Sequence, residues 1–261
     1  MSIKIMMGIQ KGGVAKSTST AIMSDLLSAS GFKVLVLDLD SQGNTTQMLT
    51  QKSIYEFTDR TILEAMKERD PNPYIVNIKE NLDLIPSEDM MATFSRYIYT
   101  SRTKRPAHVL EETMENLKGE YDFIMMDCPP NFGDIVVNAI HYSDYVITPL
   151  QPEPFALDAL DRFLAVLYGA QEEGHTDTEL LGIAITMLDR RNKLHKQIKK
   201  KAREEYGDLV FNSEIRIKSK LKEFTLMGTQ MKRSTDVAAL NDYLNLLEEV
   251  LGRVKHKRKN E

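Results

Sequence analysis

The chain has 261 residues, of which 42% are hydrophobic and 28% are charged, and its formal net charge is −4. This length and composition are typical of a globular protein with one buried core, and no stretch of about 18 apolar residues predicts a transmembrane helix. The single cysteine, Cys128, excludes an intrachain disulfide and a cysteine-rich metal site within one subunit. These features predict a cytoplasmic protein with a single domain over residues 1–250 and a basic, mobile tail over residues 251–261.

Short apolar runs alternate with helical patterns along the chain. Strands are predicted at residues 3–9, 34–39, 82–85, 123–126, 145–147 and 181–187. Several of these runs are apolar throughout, which is typical of a parallel sheet covered on both faces. The alternation predicts an α/β fold, a doubly wound and mostly parallel sheet with helices on both faces, whose ligands bind at the carboxyl ends of the strands.

A glycine-rich turn follows the first predicted strand. It consists of Lys11, Gly12, Gly13, Val14, Ala15, Lys16, Ser17 and Thr18, and a helix is predicted from about residue 16. Glycines allow backbone N–H groups to point inward, and a helix N-terminus adds partial positive charge, so this arrangement favours an anion site. Lys16 would reach the β- and γ-phosphates of ATP, and the Ser17 hydroxyl would coordinate Mg²⁺. The sequence therefore predicts ATP and Mg²⁺ as cofactors.

Acidic residues follow two other predicted strands. Asp38 and Asp40 are separated by one residue, so both leave the same side of an extended chain. Asp127 ends the apolar run at 123–126, as a Walker B acid that holds Mg²⁺ does, and phosphoryl transfer depends mainly on such positioned charges. Without the phosphate loop upstream, an alternative for the first pair is a strand-end turn that uses Asp only for capping.

The phosphate loop resembles a deviant form of the Walker A motif. Gln10 and Ala15 stand at the two glycine positions of the common pattern GxxxxGK[ST], and a second lysine, Lys11, precedes Gly12 and Gly13. The pattern KGGxxK[ST] is shared by ParA partition ATPases, MinD and the nitrogenase iron protein. The resemblance implies a P-loop NTPase architecture in which Lys11 crosses the interface of an ATP-sandwich homodimer to the partner's nucleotide. The alternative for Lys11 is an ordinary surface charge.

Two acidic segments carry the same resemblance, which extends from residue 3 to about residue 250. Residues 38–43 resemble the family's DxDxQG segment, and residues 127–130 resemble the corresponding ParA segment. This implies that Asp40 orients the attacking water, while Asp38 supports the metal shell. The candidate catalytic residues are thus Lys11, Lys16 and Asp40, and the candidate metal residues are Ser17, Asp38 and Asp127. The match weakens at residues 215–217, so no adenine contact is assigned.

Members of this family can be distinguished by a few features. One cysteine excludes a nitrogenase-type iron protein, which needs two per subunit, and the last tyrosine, Tyr243, argues against a bacterial tyrosine kinase with a tyrosine-rich tail. The basic tail has little apolar face, which makes membrane attachment like that of MinD the less favoured alternative. The sequence predicts a ParA-type partition ATPase of the short form, without an N-terminal helix-turn-helix. A DNA-binding scaffold that binds ATP without useful hydrolysis stays open.

Basic residues are concentrated between residues 190 and 222. This segment has twelve Lys/Arg and four Asp/Glu, a net charge of +8. The candidate DNA-binding residues are Lys196, Lys199, Lys200, Arg203, Arg216, Lys218, Lys220 and Lys222. Such a surface would neutralise phosphates without reading bases, although a solvated helix face is the alternative. With the resemblance, it implies an ATP-dependent homodimer that binds double-stranded DNA of the bacterial nucleoid, hydrolyses ATP slowly, and is stimulated by a ParB-like centromere-binding protein.

Overall fold

An eight-stranded sheet runs through the part of the chain that the computed structural model describes, residues 2–231 and 233–259. The strands are β1 (Ile3–Met7), β2 (Val34–Asp38), β3 (Val76–Lys79), β4 (Leu82–Ile85), β5 (Phe123–Asp127), β6 (Tyr145–Leu150), β7 (Glu179–Leu188) and β8 (Val210–Arg216). The α-helices of the same residues are α1 (Lys16–Ala29), α2 (Asn44–Thr50), α3 (Ile62–Glu68), α4 (Phe94–Thr100), α5 (Val109–Met114), α6 (Asp134–Tyr142), α7 (Ala156–Glu172), α8 (Lys193–Tyr206), α9 (Ser219–Met227) and α10 (Ser234–Lys257).

The strands lie in the order β3-β4-β2-β5-β1-β6-β7-β8. Only β3 is antiparallel to its neighbour among the described strands. One hydrophobic cluster includes Leu63 of α3 and Leu160 of α7, and a second cluster includes Ile22 of α1 and Leu240 of α10. Because these clusters lie on opposite sides of the sheet, the prediction of a doubly wound, mostly parallel sheet with helices on both faces is confirmed.

The central strands bring the phosphate loop and the acidic residues to one edge of the sheet. Every residue of β2, β5 and β6 is buried, which explains why these strands are apolar in sequence. Asp38, the last residue of β2, is paired in register with Asp127, the last residue of β5. β1 lies beside β5 and leads directly into the phosphate loop. Ligand sites of doubly wound sheets form at this carboxyl edge.

Two strands, β3 and β8, were not predicted from the sequence. β3 is half exposed and forms a hairpin with β4 through Glu80 and Asn81, which has a φ of 60°. β8 is the opposite edge of the sheet, and its residues Asn212 and Ser213 are not buried. Edge strands bury less side-chain surface than central strands, so they lack the continuous apolar pattern on which the prediction depended.

The predicted boundary at residue 250 lies within α10 and needs correction. Val254 is buried, and the Arg253 guanidinium donates to the Leu181 carbonyl at 2.8 Å and to the Asp208 carbonyl at 2.7 Å. Residues 251–257 therefore pack on the domain as helix, because one apolar and one hydrogen-bonded side chain anchor them. Residues 260 and 261 lie outside the described residues. None of the helices in the described ranges is long and apolar enough to span a bilayer.

Candidate nucleotide-binding site

A cavity of about 640 Å³ lies at the carboxyl edge of the sheet. Its volume is in the range of about 300–1,000 Å³ that small-molecule sites occupy. The polar end is lined by Gly12, Gly13, Ala15, Lys16, Ser17, Thr18 and Asp40. The rest of the lining combines apolar side chains with basic ones and includes Met187, Ile215, Arg216, Ile217, Lys218, Leu221, Lys222, Leu226 and Tyr243. The cavity thus combines charged and hydroxyl groups with apolar side chains, as a nucleotide requires.

The phosphate loop reaches this cavity through two left-handed residues. Gly13 has a φ of 74° and Ala15 a φ of 65°, and α1 begins directly afterwards at Lys16. No side chain caps the start of α1, and no acidic residue lies in its first turn. The first N–H groups of α1 are therefore available to an anion, which the helix dipole also favours.

The two lysines of the loop have different environments. Lys16 is buried and donates from Nζ to the Lys11 carbonyl at 2.9 Å. Burial lowers the pKa of Lys16, while the carboxylates of Asp127 and Asp40 act against this shift. The side chain of Lys11 does not line the cavity, because its Nζ donates to the Pro154 carbonyl at 3.4 Å. Lys16 is thus placed for a phosphate within this chain, and Lys11 is not.

Val14 is the other predicted loop residue that does not line the cavity. It is buried in the core, and its carbonyl accepts a hydrogen bond from Thr186 Oγ1 at 3.0 Å. Val14 therefore fixes the loop to β7, and six of the eight residues predicted for the loop line the cavity.

Asp127 is a fully buried acid at the end of β5, and it does not itself line the cavity. Its Oδ2 accepts a hydrogen bond from Thr45 Oγ1 at 2.8 Å, whereas Oδ1 has no hydrogen-bond partner among the described residues. Burial raises the pKa of Asp127 to about 6, although the hydroxyls of Ser17 and Thr45 stabilise its ionised form. This carboxylate lies beside the Ser17 hydroxyl, and Ser17 lines the cavity, so the pair fits a Mg²⁺ ion that Asp127 reaches through water, as Mg²⁺ prefers oxygen ligands and usually keeps several waters.

Asp38 and Asp40 serve different parts of the site. Asp40 lines the cavity, and its Oδ1 accepts from the Gln42 N–H at 3.0 Å. Asp38 does not line the cavity, and both of its oxygens accept hydrogen bonds, from Asp40 N–H and from Thr46. Burial and the neighbouring Asp127 raise the pKa of Asp38 well above its usual range. Asp38 can therefore support the site only through the residues that it holds.

The described residues contain no group of three or more His, Cys, Asp or Glu arranged to enclose a metal ion. This is compatible with Mg²⁺, which usually keeps several waters and binds through one or two carboxylates and substrate phosphates.

Comparison with known proteins identifies the family. A family model described as an AAA domain matches residues 2–183. The chromosome partitioning protein ParA of Caulobacter vibrioides is 30% identical over 250 residues, which cover 94% of this chain and 92% of that protein. This chain belongs to the ParA/MinD-type family of AAA-domain ATPases.

Two further proteins are similar to this ParA/MinD-type chain over nearly its whole length. The sporulation initiation inhibitor protein Soj of Bacillus subtilis is 29% identical over 255 residues, which cover 92% of this chain and 95% of Soj. A plasmid partition protein of Borrelia burgdorferi, whose structure was solved with AMPPNP bound, is 28% identical with a TM-score of 0.80. That similarity covers 97% of this chain and 99% of the Borrelia chain.

Three of the residues predicted to bind DNA line the cavity of this ParA/MinD-type ATPase. They are Arg216, Lys218 and Lys222. Arg216 forms a two-pronged ion pair with Asp242 of α10, at 2.5 and 3.0 Å, and Lys218 Nζ lies 3.1 Å from the same carboxylate. The sequence prediction treated these cations as part of one surface because it could not place Asp242 beside them.

The other predicted DNA-binding residues lie on α8 and α9. Lys199 and Arg203 both contact Glu214 of β8, at 2.9 and 3.4 Å, and Lys220 lies 2.7 Å from Glu223. Lys200 forms an exposed pair with Glu204 at 3.4 Å. Lys196 is exposed and has no carboxylate within ion-pair distance in the described ranges. Of the predicted residues that lie outside the cavity, Lys196 and Lys200 of α8 therefore have the charges that are least neutralised by described neighbours.

Sequence reasoning missed several residues of the site. Tyr243 lines the cavity and its hydroxyl lies 3.0 Å from Ser19 Oγ, and Met187 lines it with a φ of 49°. Thr45 and Thr46 hold the two strand-end acids. The position of these threonines, directly after the acidic segment and at the start of a helix, was the one sequence signal that could have identified them.

Proposed function

We propose that this chain binds ATP with Mg²⁺ in the cavity at the carboxyl edge of the sheet and hydrolyses it slowly. The observation that supports this is the uncapped start of α1 beside buried Lys16 and the unpaired Asp127 Oδ1. Lys16 and the loop amides bind the phosphates, Ser17 and Asp127 hold Mg²⁺, and Asp40 orients the attacking water. When bound, Mg²⁺ would neutralise charge on the phosphates.

Calorimetry and turnover measurements test this proposal together. ATP with Mg²⁺ should release heat on binding to the wild type, whereas Lys16→Ala should bind far more weakly because a buried charge is lost from the phosphate end. Asp40→Ala should retain ATP binding and lose turnover. Equal turnover in wild type and Asp40→Ala would remove Asp40 from catalysis. The absence of binding heat in folded wild-type protein would refute the nucleotide site itself.

The protein is further proposed to form an ATP-dependent homodimer. Lys11 does not reach the cavity of its own chain, and it lies beside Pro154. The next residue, Phe155, is 78% exposed and has a φ of 60°. Exposed aromatic side chains are enriched at protein interfaces, and strained residues cluster at functional positions. These observations favour a contact surface at Lys11 and Phe155 that a second copy completes.

The dimer is proposed to bind nucleoid DNA without sequence preference. The support is the set of exposed lysines on α8, of which Lys196 and Lys200 are the predicted members. A dimer doubles this surface, so ATP would strengthen DNA binding by controlling dimer formation. The named function of the Caulobacter relative favours chromosome or plasmid partition, with a ParB-like centromere-binding protein that stimulates turnover. ATP-dependent binding to liposomes without binding to DNA would favour a membrane-associated positioning ATPase instead.

A further inference from the structure

A buried chain of hydrogen bonds connects the segment of Asp40 to the loop after β4. The Ser87 backbone N–H donates to Thr46 Oγ1 at 3.0 Å, and this hydroxyl donates to Asp38 Oδ2 at 2.7 Å. Asp38 Oδ1 accepts from the Asp40 N–H at 3.2 Å. Thr46, Asp38 and Ser87 are each 0% exposed, so water does not replace these bonds when one is broken, and the partner left behind is unsatisfied.

The Thr46 hydroxyl is used as both donor and acceptor. A hydroxyl has one proton and two lone pairs, and here the proton goes to Asp38 while one lone pair receives the Ser87 N–H. The Thr46 backbone N–H also donates to Asp38 Oδ2, at 2.8 Å. Thr50 Oγ1 donates to the Thr46 carbonyl at 2.7 Å. Thr46 is therefore held on the side of β2, on the side of the β4 loop and within α2.

The turn from Asp40 to Thr46 has little freedom to absorb a displacement. Gly43 has a φ of 58°, and a Cβ there would lie 2.4 Å from Ile54 Cγ2 and 3.0 Å from the Ser87 carbonyl oxygen. The Gly43 N–H donates to the Asp40 carbonyl at 2.9 Å. A tightly packed segment of this kind transmits a change at one end to the other.

We propose that Thr46 is a positioning residue for ATP hydrolysis. Its hydroxyl fixes Asp38, and through Asp38 the backbone of Asp40, against the loop at Ser87. Thr46 does not line the nucleotide cavity, so it acts on the reaction without touching ATP. This inference rests on the proposed function, in which Asp40 orients the attacking water. The adjacent Thr45 has a separate task, because its hydroxyl bonds to Asp127.

Thr46→Val tests the proposal, since it removes the hydroxyl and keeps the volume and branching of the side chain. We expect kcat for ATP hydrolysis to fall about 10- to 100-fold, as displaced catalytic groups do, with the dissociation constant for ATP unchanged. Thr46→Ser keeps the hydroxyl and should restore kcat. Ser87→Ala is the matched control, because Ser87 Oγ is buried without a hydrogen-bond partner in the described part of the chain and the N–H is retained. Its kcat should equal that of the wild type.

The proposal is overturned if Thr46→Val has the same kcat as the wild type. It is also overturned if Thr46→Ser loses as much kcat as Thr46→Val. An equal loss in Ser87→Ala would assign the effect to packing and would overturn it as well. If circular dichroism shows that Thr46→Val does not fold, amide hydrogen exchange in the wild type tests the proposal instead. The Ser87 N–H should then exchange as slowly as the amide of a buried strand. If the Ser87 N–H exchanges as fast as an exposed loop amide, the proposal is wrong. Wild-type protein that fails to bind or hydrolyse ATP sinks the proposed function instead.

Discussion

Ala15 occupies a backbone conformation that L-residues avoid. It has φ 65° and ψ 29° directly before α1, where a Cβ costs roughly 1–2 kcal/mol. The common form of the phosphate loop has glycine at this position. The sequence shows that alanine stands there, but it does not show whether the backbone still has a positive φ. The positive φ of Ala15 is retained because the loop must turn sharply from β1 into α1. The surrounding structure can hold a strained residue at a ligand site.

Replacing Ala15 with glycine should therefore stabilise the fold. We expect a gain of about 0.5–1 kcal/mol in the free energy of unfolding, because removal of the Cβ conflict exceeds the added flexibility of the unfolded chain. Urea denaturation measures this difference. The control is Ala170→Gly within α7, which should destabilise by about 1 kcal/mol since its backbone is helical. If Ala15→Gly lowers the free energy of unfolding as much as Ala170→Gly does, the backbone at Ala15 is not strained.

Among the elements, the central strands could be predicted and the edges could not. β2 and β5 are buried at every residue, so burial alone dictates an apolar sequence that can be recognised. β8 is an edge strand with exposed Asn212, and its pairing depends on β7 rather than on its own composition. Ion pairs between distant residues could not be predicted from the sequence either. Nothing in the sequence indicated that Arg216 is paired, because its partner, Asp242, is supplied by α10, 26 residues along the chain.

On α8, the exposed lysines provide the clearest test of DNA binding. The combined variant Lys196→Glu and Lys200→Glu should weaken binding to DNA of any sequence in the presence of ATP. The exposed pair of Lys200 with Glu204 is worth little, so the variant should fold normally. Fluorescence anisotropy over a salt series should also show a slope reduced by about 0.9 for each DNA phosphate that the variant no longer neutralises.

The matched control for α8 reverses two exposed lysines outside the basic segment, Lys104 and Lys118. It has the same net charge as the α8 variant and should bind DNA nearly as the wild type does. If the affinity of both variants falls equally, the effect is one of net charge, and α8 is not the DNA surface. Wild-type affinity in the α8 variant would also remove this helix from the interface.

In the whole molecule, the site of one chain contains only part of the predicted machinery. Lys16 and Asp40 line the cavity, but Lys11 is bonded to the Pro154 carbonyl outside it. If Lys11 acts on the nucleotide of a second copy, each active site combines Asp40 of one chain with Lys11 of the other. If Lys11 acts within its own chain, both residues must be intact in the same subunit. These two arrangements differ in what a mixture of variants can do.

Mixing Lys11→Ala with Asp40→Ala distinguishes the two arrangements. Each variant alone should be inactive, since every site lacks one of the two groups. In a mixed dimer, the Lys11→Ala chain keeps its own Asp40 and receives Lys11 from its partner, so one site of the two is complete and turnover should reappear. Steady-state ATPase rates over a range of mixing ratios should pass through a maximum near equal amounts, because only mixed dimers are active. A rate that stays at the level of the separate variants at every ratio, while sedimentation shows that mixed dimers form, would place Lys11 in its own chain's site or outside catalysis.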